Sequence, residues 1–211
     1  MKNKIFAVLF LFATVMFSTA QKLNFKDKNF EKAAIENYDI NKDGFIDGKE
    51  ALQVSNLFLV KKGITSADDL VFFSQVKMVV LDDNSISTIS LKNLDALQLF
   101  SCTNCRISTF RAENLKNLVS VYVNNNFINN IFLKGLPRID QLAISLNQLK
   151  AIDVSDLRNL KKLNLEHNQL QKLDISRNYN LKTLNIGGNK MKETAIHKGS
   201  QTDLIIFGAA Q

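Results

Sequence analysis

Leu160-Lys161-Lys162-Leu163-Asn164-Leu165-Glu166-His167-Asn168-Gln169-Leu170-Gln171-Lys172-Leu173 decides the fold. Leu163 and Leu165 alternate with polar residues, the period of a short strand with one face buried. Asn168 follows three residues later, and Leu170 two residues after that. The same pattern recurs at a step of 21: Asn84, Asn126, Asn147, Asn168 and Asn189 form a ladder, and Cys105 takes the missing rung. Leu181, Leu184, Ile186, Asn189 and Met191 repeat it downstream; Leu118, Val121, Val123, Asn126, Ile128 and Ile131 repeat it upstream. Of the 30 apolar slots in six repeats, 29 are apolar and Thr194 is the exception. Chance would fill about half. A fixed period of this size means a solenoid.

One strand per repeat stacks into a parallel sheet on the concave side, and the chain returns along the convex side. No repeat buries its apolar face alone, so stacking makes the core. The rung asparagine has a separate reason. The turn after each strand leaves inward backbone groups without a sheet partner, and a buried amide both donates and accepts.

The pattern L-x-x-L-x-L-x-x-N-x-L-x-x-L resembles the leucine-rich repeat family over roughly residues 57 to 191. Its step of 21 and its aliphatic-Asp-aliphatic-Ser segments (Ile152-Asp153-Val154-Ser155, Leu173-Asp174-Ile175-Ser176) are similar to the short repeats of bacterial exported, internalin-like proteins. The resemblance implies an α/β solenoid: a parallel concave β-sheet, short convex returns made of turns, bridges or one-turn helical pieces, and a surface that binds another protein. A glycan or other cell-surface ligand belongs to the same expectation. Ala112, Arg138 and Asn178 loosen the convex pattern without breaking it.

The two ends read differently. Lys2 and Lys4, an apolar run from Ile5 to Phe17, and Ser18-Thr19-Ala20 form a secretory signal peptide over residues 1–20. It is too short for a lasting membrane span, so the mature protein is expected to be secreted or periplasmic. Residues 57–197 carry the repeats and 198–211 a closing strand and tail. In that strand Ile205 and Phe207, one step of 21 beyond Leu184 and Ile186, are expected to point inward. Residues 21–56 form a helical N-terminal cap. Asp39-Ile40-Asn41-Lys42-Asp43-Gly44-Phe45-Ile46-Asp47-Gly48-Lys49-Glu50 matches the EF-hand calcium loop at each diagnostic position. Calcium takes six to eight hard oxygens. Asp39, Asn41 and Asp43 supply side chains, Phe45 its carbonyl, Asp47 a water-mediated contact and Glu50 a bidentate carboxylate. Asp27 is a suitable N-cap for a helix whose face is Phe30, Ala34, Ile35 and Tyr38, and Glu50 opens a second helix to about Ser55. Leu57, Leu59 and Ile64 make a first repeat one residue out of step.

Chemistry finds little room. Cys102 and Cys105 are compatible with buried thiols, a local disulfide favoured by export, or a reactive redox pair. His167 beside Glu166 reads as exposed polar surface, and no nucleophile-base pair or phosphate loop is present. The chain is therefore read as a binding protein, not an enzyme. Lys+Arg 27 against Asp+Glu 20 is a mild excess, with no basic run that would suit nucleic acid. The outward strand positions run from apolar to polar, and Met78, Val80, Leu99 and Tyr122 form the expected partner-binding patch. Calcium is expected to be mainly structural, since sensor loops come in pairs; a calcium-responsive regulator is the alternative.

Overall fold

The computed structural model describes residues 21–209. The expected leader, residues 1–20, lies outside the described residues. Among the described residues no helix is long and apolar enough to cross a membrane.

Helix α1 (Lys28–Tyr38) opens the fold, with Asp27 at its N-cap. Helix α2 (Gly48–Gln53) follows. It starts before Glu50, because Asp47 caps it and forms a reciprocal capping box with Glu50. Then come β1 (Asn56–Phe58), β2 (Met78–Val80), β3 (Thr88–Leu91), β4 (Leu99–Ser101), β5 (Thr109–Glu113), β6 (Ser120–Tyr122) and β7 (Asn130–Lys134). After these lie β8 (Gln141–Ala143), β9 (Lys162–Asn164), β10 (Leu173–Asp174), β11 (Thr183–Asn185), β12 (Ile196–His197) and β13 (Ile205–Phe207).

The concave sheet is all-parallel, in the order β1-β2-β4-β6-β8-β9-β11-β13. From β2 to β11 the register advances by 21, as in Met78↔Leu99 and Lys162↔Thr183. At both ends it advances by 22: Asn56↔Met78 and Thr183↔Ile205. The first of these is the out-of-step repeat. The second overturns the expected orientation of the last strand. Ile206 takes the inward slot opposite Leu184, while Ile205 and Phe207 stay 58% and 51% exposed. One extra residue exchanges the two faces of a strand. That last return holds a 3₁₀ turn at Glu193–Ala195, and Ile196, paired with Leu173, fills the convex slot that Thr194 leaves.

The convex side is more regular than expected. β3, β5 and β7 form a second parallel sheet of three strands. It stops where the aliphatic-Asp-aliphatic-Ser segments begin. Asp153 accepts a hydrogen bond from Ser155 N and Asp174 from Ser176 N, each at 2.9 Å. At Asp153 such a turn stands where a fourth strand would pair, while at Asp174 it coexists with a two-residue ladder to β12. Ser90, Arg111 and Phe132 hold the corresponding positions in β3, β5 and β7 and make no such turn.

The rungs work as expected. Asn147 Nδ2 donates to Val123 O, Ile144 O and Ser145 O, and its Oδ1 accepts from Ile128 N at 2.8 Å. Asn84, Asn126, Asn168 and Asn189 repeat this bonding. A second, shorter amide set lies on the convex side. Asn178, fully buried, donates to Val154 O and Leu157 O, and Gln201 donates to Ile175 O and Asn178 O beside it.

The cap seals the near end of the stack. Phe25, Phe30, Phe72 and Phe73 pack ring against ring. Asp27 joins cap to solenoid: Oδ1 accepts from Asn29 N and Phe30 N, and Oδ2 from Thr65 N, Thr65 Oγ1 and Ser66 N. Burial pushes this carboxyl up, but the hydrogen bonds outweigh it and hold the group below its ordinary value.

Candidate functional site

Two surfaces hold the expected site residues. The first is the acidic loop between α1 and α2. Lys42 and Gly44 take left-handed backbone at φ 61° and 87°, which curls the loop around its own carboxylates. Asp39 accepts from Asp43 N and, at 2.9 Å, from Gly44 N. Asn41 Oδ1 accepts from Asp43 N, its Nδ2 donates to Asp43, and Asp43 accepts from Phe45 N. Glu50, 4% exposed, accepts from Ile40 N, Asn41 N and Asp47 N. Asp47 Oδ1 is engaged by Lys49 N and Glu50 N.

One carboxylate oxygen from each of Asp39, Asp43 and Glu50 falls within 4.8 Å of the others. Oxygens sharing one calcium at about 2.4 Å lie at most about 4.8 Å apart. The donor set therefore fits a hard divalent cation. It is the one such cluster of three or more ligating side chains among the described residues.

A short segment ahead of α1 pairs with the acidic loop. Lys22 bridges antiparallel to Asp47, and Leu23 N donates to Ile46 O at 2.9 Å. The far end of α1 reaches the solenoid, where Phe58 N donates to Tyr38 Oη at 2.8 Å.

The second surface is the concave sheet. Met78 and Leu99 are paired neighbours, and Val80 and Tyr122 lie in one cross-strand column separated by Ser101. All four are half-buried and face outward. Sequence reasoning missed two members of that column. Phe58, 49% exposed, pairs with Val80 at the near end, and Phe207 pairs with Asn185 at the far end. Phe207 was hidden by the step of 22 at the far end, whereas Phe58 lies between the inward Leu57 and Leu59 of the out-of-step first repeat, where alternation alone turns it outward. Tyr122 Oη donates to Gln141 Oε1 at 2.9 Å. From Tyr122 to Phe207 runs a groove of about 470 Å³ over Ala143, Asn164 and Asn185.

Cys102 and Cys105 are joined in a disulfide, fully buried, with Cα atoms 5.7 Å apart. No free thiol exists among the described residues. His167 sits 3.8 Å from Glu166, both exposed. Its backbone is the informative part. Asp83, Asn104, Asn125, Leu146, His167 and Gly188, each one residue before a rung, all have left-handed φ of 51–70°. Asn, Asp, His and Gly tolerate that conformation, so His167 serves a turn.

No protein-family model and no curated protein sequence matches the chain. Solved structures do resemble it. Internalin C2 from Listeria monocytogenes aligns with TM-score 0.55 and 19% identity, covering 86% of this chain and 93% of that one. Human 5T4 (trophoblast glycoprotein, Wnt-activated inhibitory factor 1) gives 0.50 and 13%, covering 79% and 78%. A Listeria monocytogenes internalin-like protein gives 0.48 and 17%, covering 82% and 66%. Together with the parallel solenoid of 21-residue turns, this is the leucine-rich repeat fold with a small helical N-terminal region.

Proposed function

We propose that the protein is an exported, calcium-stabilised interaction module that captures another protein on its concave sheet. The observation that carries this reading is the outward column of Phe58, Val80 and Tyr122 beside Met78 and Leu99, held on a hydrogen-bonded sheet. Exposed aromatic and aliphatic side chains on a rigid frame are the usual anchors of a protein interface. The solved leucine-rich repeat structures it resembles lend weight to a binding role over an enzymatic one. Calcium, bound by Asp39, Asn41, Asp43, Phe45 and Glu50 with Asp47 behind them, neutralises the loop carboxylates and ties α1 to α2.

The test is capture from culture medium or cell-surface extract, with and without a chelator. Met78→Asp, Leu99→Asp and Tyr122→Ala should abolish capture while the thermal melt stays unchanged. Unaltered capture by the triple variant would remove the concave patch from consideration.

A calcium-responsive binder is the second reading, favoured by one contact. Tyr38 immediately precedes the loop and holds Phe58 N, so fraying of the loop would loosen the first concave strand. Asp39→Ala with Glu50→Ala separates the two. A purely structural ion lowers the melting temperature and leaves the affinity of the folded protein nearly constant. A regulatory ion weakens capture well below the melting transition.

A further inference from the structure

The edge of the stack where the chain enters the concave strands carries a separate feature. Lys116, Arg138 and Arg158 stand in the turns before β6, β8 and β9, and Lys161 and Lys182 stand directly before β9 and β11; all five are exposed. The side chains between them along the chain, Leu118, Ile139, Leu160 and Leu181, point into the core, so the cations flank one edge. Asn117 Nδ2 donates to Asp95 O, Asn159 Nδ2 to Pro137 O and Asn180 Nδ2 to Arg158 O, which stitches successive turns along that edge. Arg138 donates to Asn117 Oδ1 at 3.1 Å. Among the described residues the only ion pair here joins Lys161 to Asp140 at 3.4 Å. Tyr179, 61% exposed, lies one repeat beyond Arg158 on the same edge.

We propose that this edge binds a linear polysaccharide bearing carboxylate or sulfate groups, laid along the stack axis. Neighbouring parallel strands are about 4.8 Å apart, so these cations, drawn from four successive turns and three register columns, span about 14 Å along the edge. A polymer with regularly placed anions presents the complementary line. Between the cations stand Asn117, Pro137, Asn159 and Asn180, with three carboxylates, Asp95, Asp140 and Asp156, against the five cations and no cluster of apolar anchors of the kind a protein interface needs. Tyr179 adds one aromatic face on which a sugar ring can rest. A single ring is a poor platform for single-stranded nucleic acid, which stacks successive bases on several.

The experiment measures affinity of the purified protein for heparin at about 0.1 M salt, where surface charges beyond ~10 Å are screened. Arg138→Glu/Arg158→Glu/Lys182→Glu is compared with a charge-matched control, Lys92→Glu/Lys172→Glu/Lys190→Glu, exposed elsewhere. The edge variant should bind about tenfold or more weakly, the control within about twofold of the parent, and Tyr179→Ala should weaken binding without changing net charge. Circular-dichroism melts check folding, and the single Arg158→Gln substitution, which should lower affinity measurably, stands in if the triple variant unfolds. Equal weakening by edge and control variants, or unchanged binding by the edge variant, overturns the proposal. So does duplex DNA that binds as tightly through the same three residues with Tyr179→Ala without effect. None of these outcomes depends on the concave patch or on calcium, so failure here is distinct from failure of the interaction reading.

Discussion

Asp27 does more than cap a helix. Its carboxylate takes five donors from α1 and from the first return of the solenoid. Those donors bind the charged form, so its folded pKa is depressed. Its stabilisation is complete above the ordinary carboxylate value of about 4 and is lost as pH falls through the lower folded value. Glu31, held low by hydrogen bonds from Lys28 and Lys22, acts in the same direction. Asp27→Ala should therefore cost about 3 kcal/mol at neutral pH. Thermal melts between pH 7 and 3 should show a shallower acid decline for Asp27→Asn than for the parent. Leu146 is the misfit in the left-handed column, at φ 55° and 51% exposed. Leu146→Asn should raise stability by about 1 kcal/mol, read as an upward shift in melting temperature. The sequence shows the N-cap and places Leu146, but not its backbone or the reach of Asp27 to Thr65, a contact across 38 residues that no local pattern encodes.

At the scale of the repeat element, the rung is a bidirectional amide. Asn147→Ala should lose about 3 kcal/mol, because buried carbonyls lose their donor. Asn147→Asp should fare no better at neutral pH, since a carboxylate would face Val123 O, Ile144 O and Ser145 O with nothing to donate. The Cys105 turn solves the same position differently. Ile64, Ile107, Ile128, Leu149 and Leu170 each donate to a rung oxygen, whereas Ile86 has a disulfide in place of that oxygen. Cys102→Val with Cys105→Asn should keep the fold and make the melting temperature insensitive to reductant, unlike the parent. The acidic loop is an element of the same kind, readable because all its donors lie within twelve residues. If it binds calcium, a tenfold excess of the ion over its Kd should stabilise the protein by about 1.4 kcal/mol, and Asp39→Ala should abolish that gain in a calorimetric melt.

At the scale of the whole molecule, the two ends of the stack are closed unequally. The near end has an aromatic plug and Tyr38 on the first strand, while β13 holds the far edge with Ile206 alone facing in. Ile206→Asp should destabilise the terminal turn, and Ile205→Asp should not, the reverse of the outcome expected from a step of 21; hydrogen exchange of residues 183–207 would separate them. The concave face shows the same dependence on register: Met78, Val80, Leu99 and Tyr122 were legible as outward positions, while Phe207 joined their column only through the irregular last step.

By itself the sequence determined the winding, the inward columns, the amide ladder and the acidic loop, because each depends on spacing within one or two turns. The tertiary structure alone decided the convex sheet, the junction between cap and first repeat, the disulfide and the shifted last strand. Those depend on which groups meet across turns, and a chain whose side chains alternate every residue changes face with a single insertion.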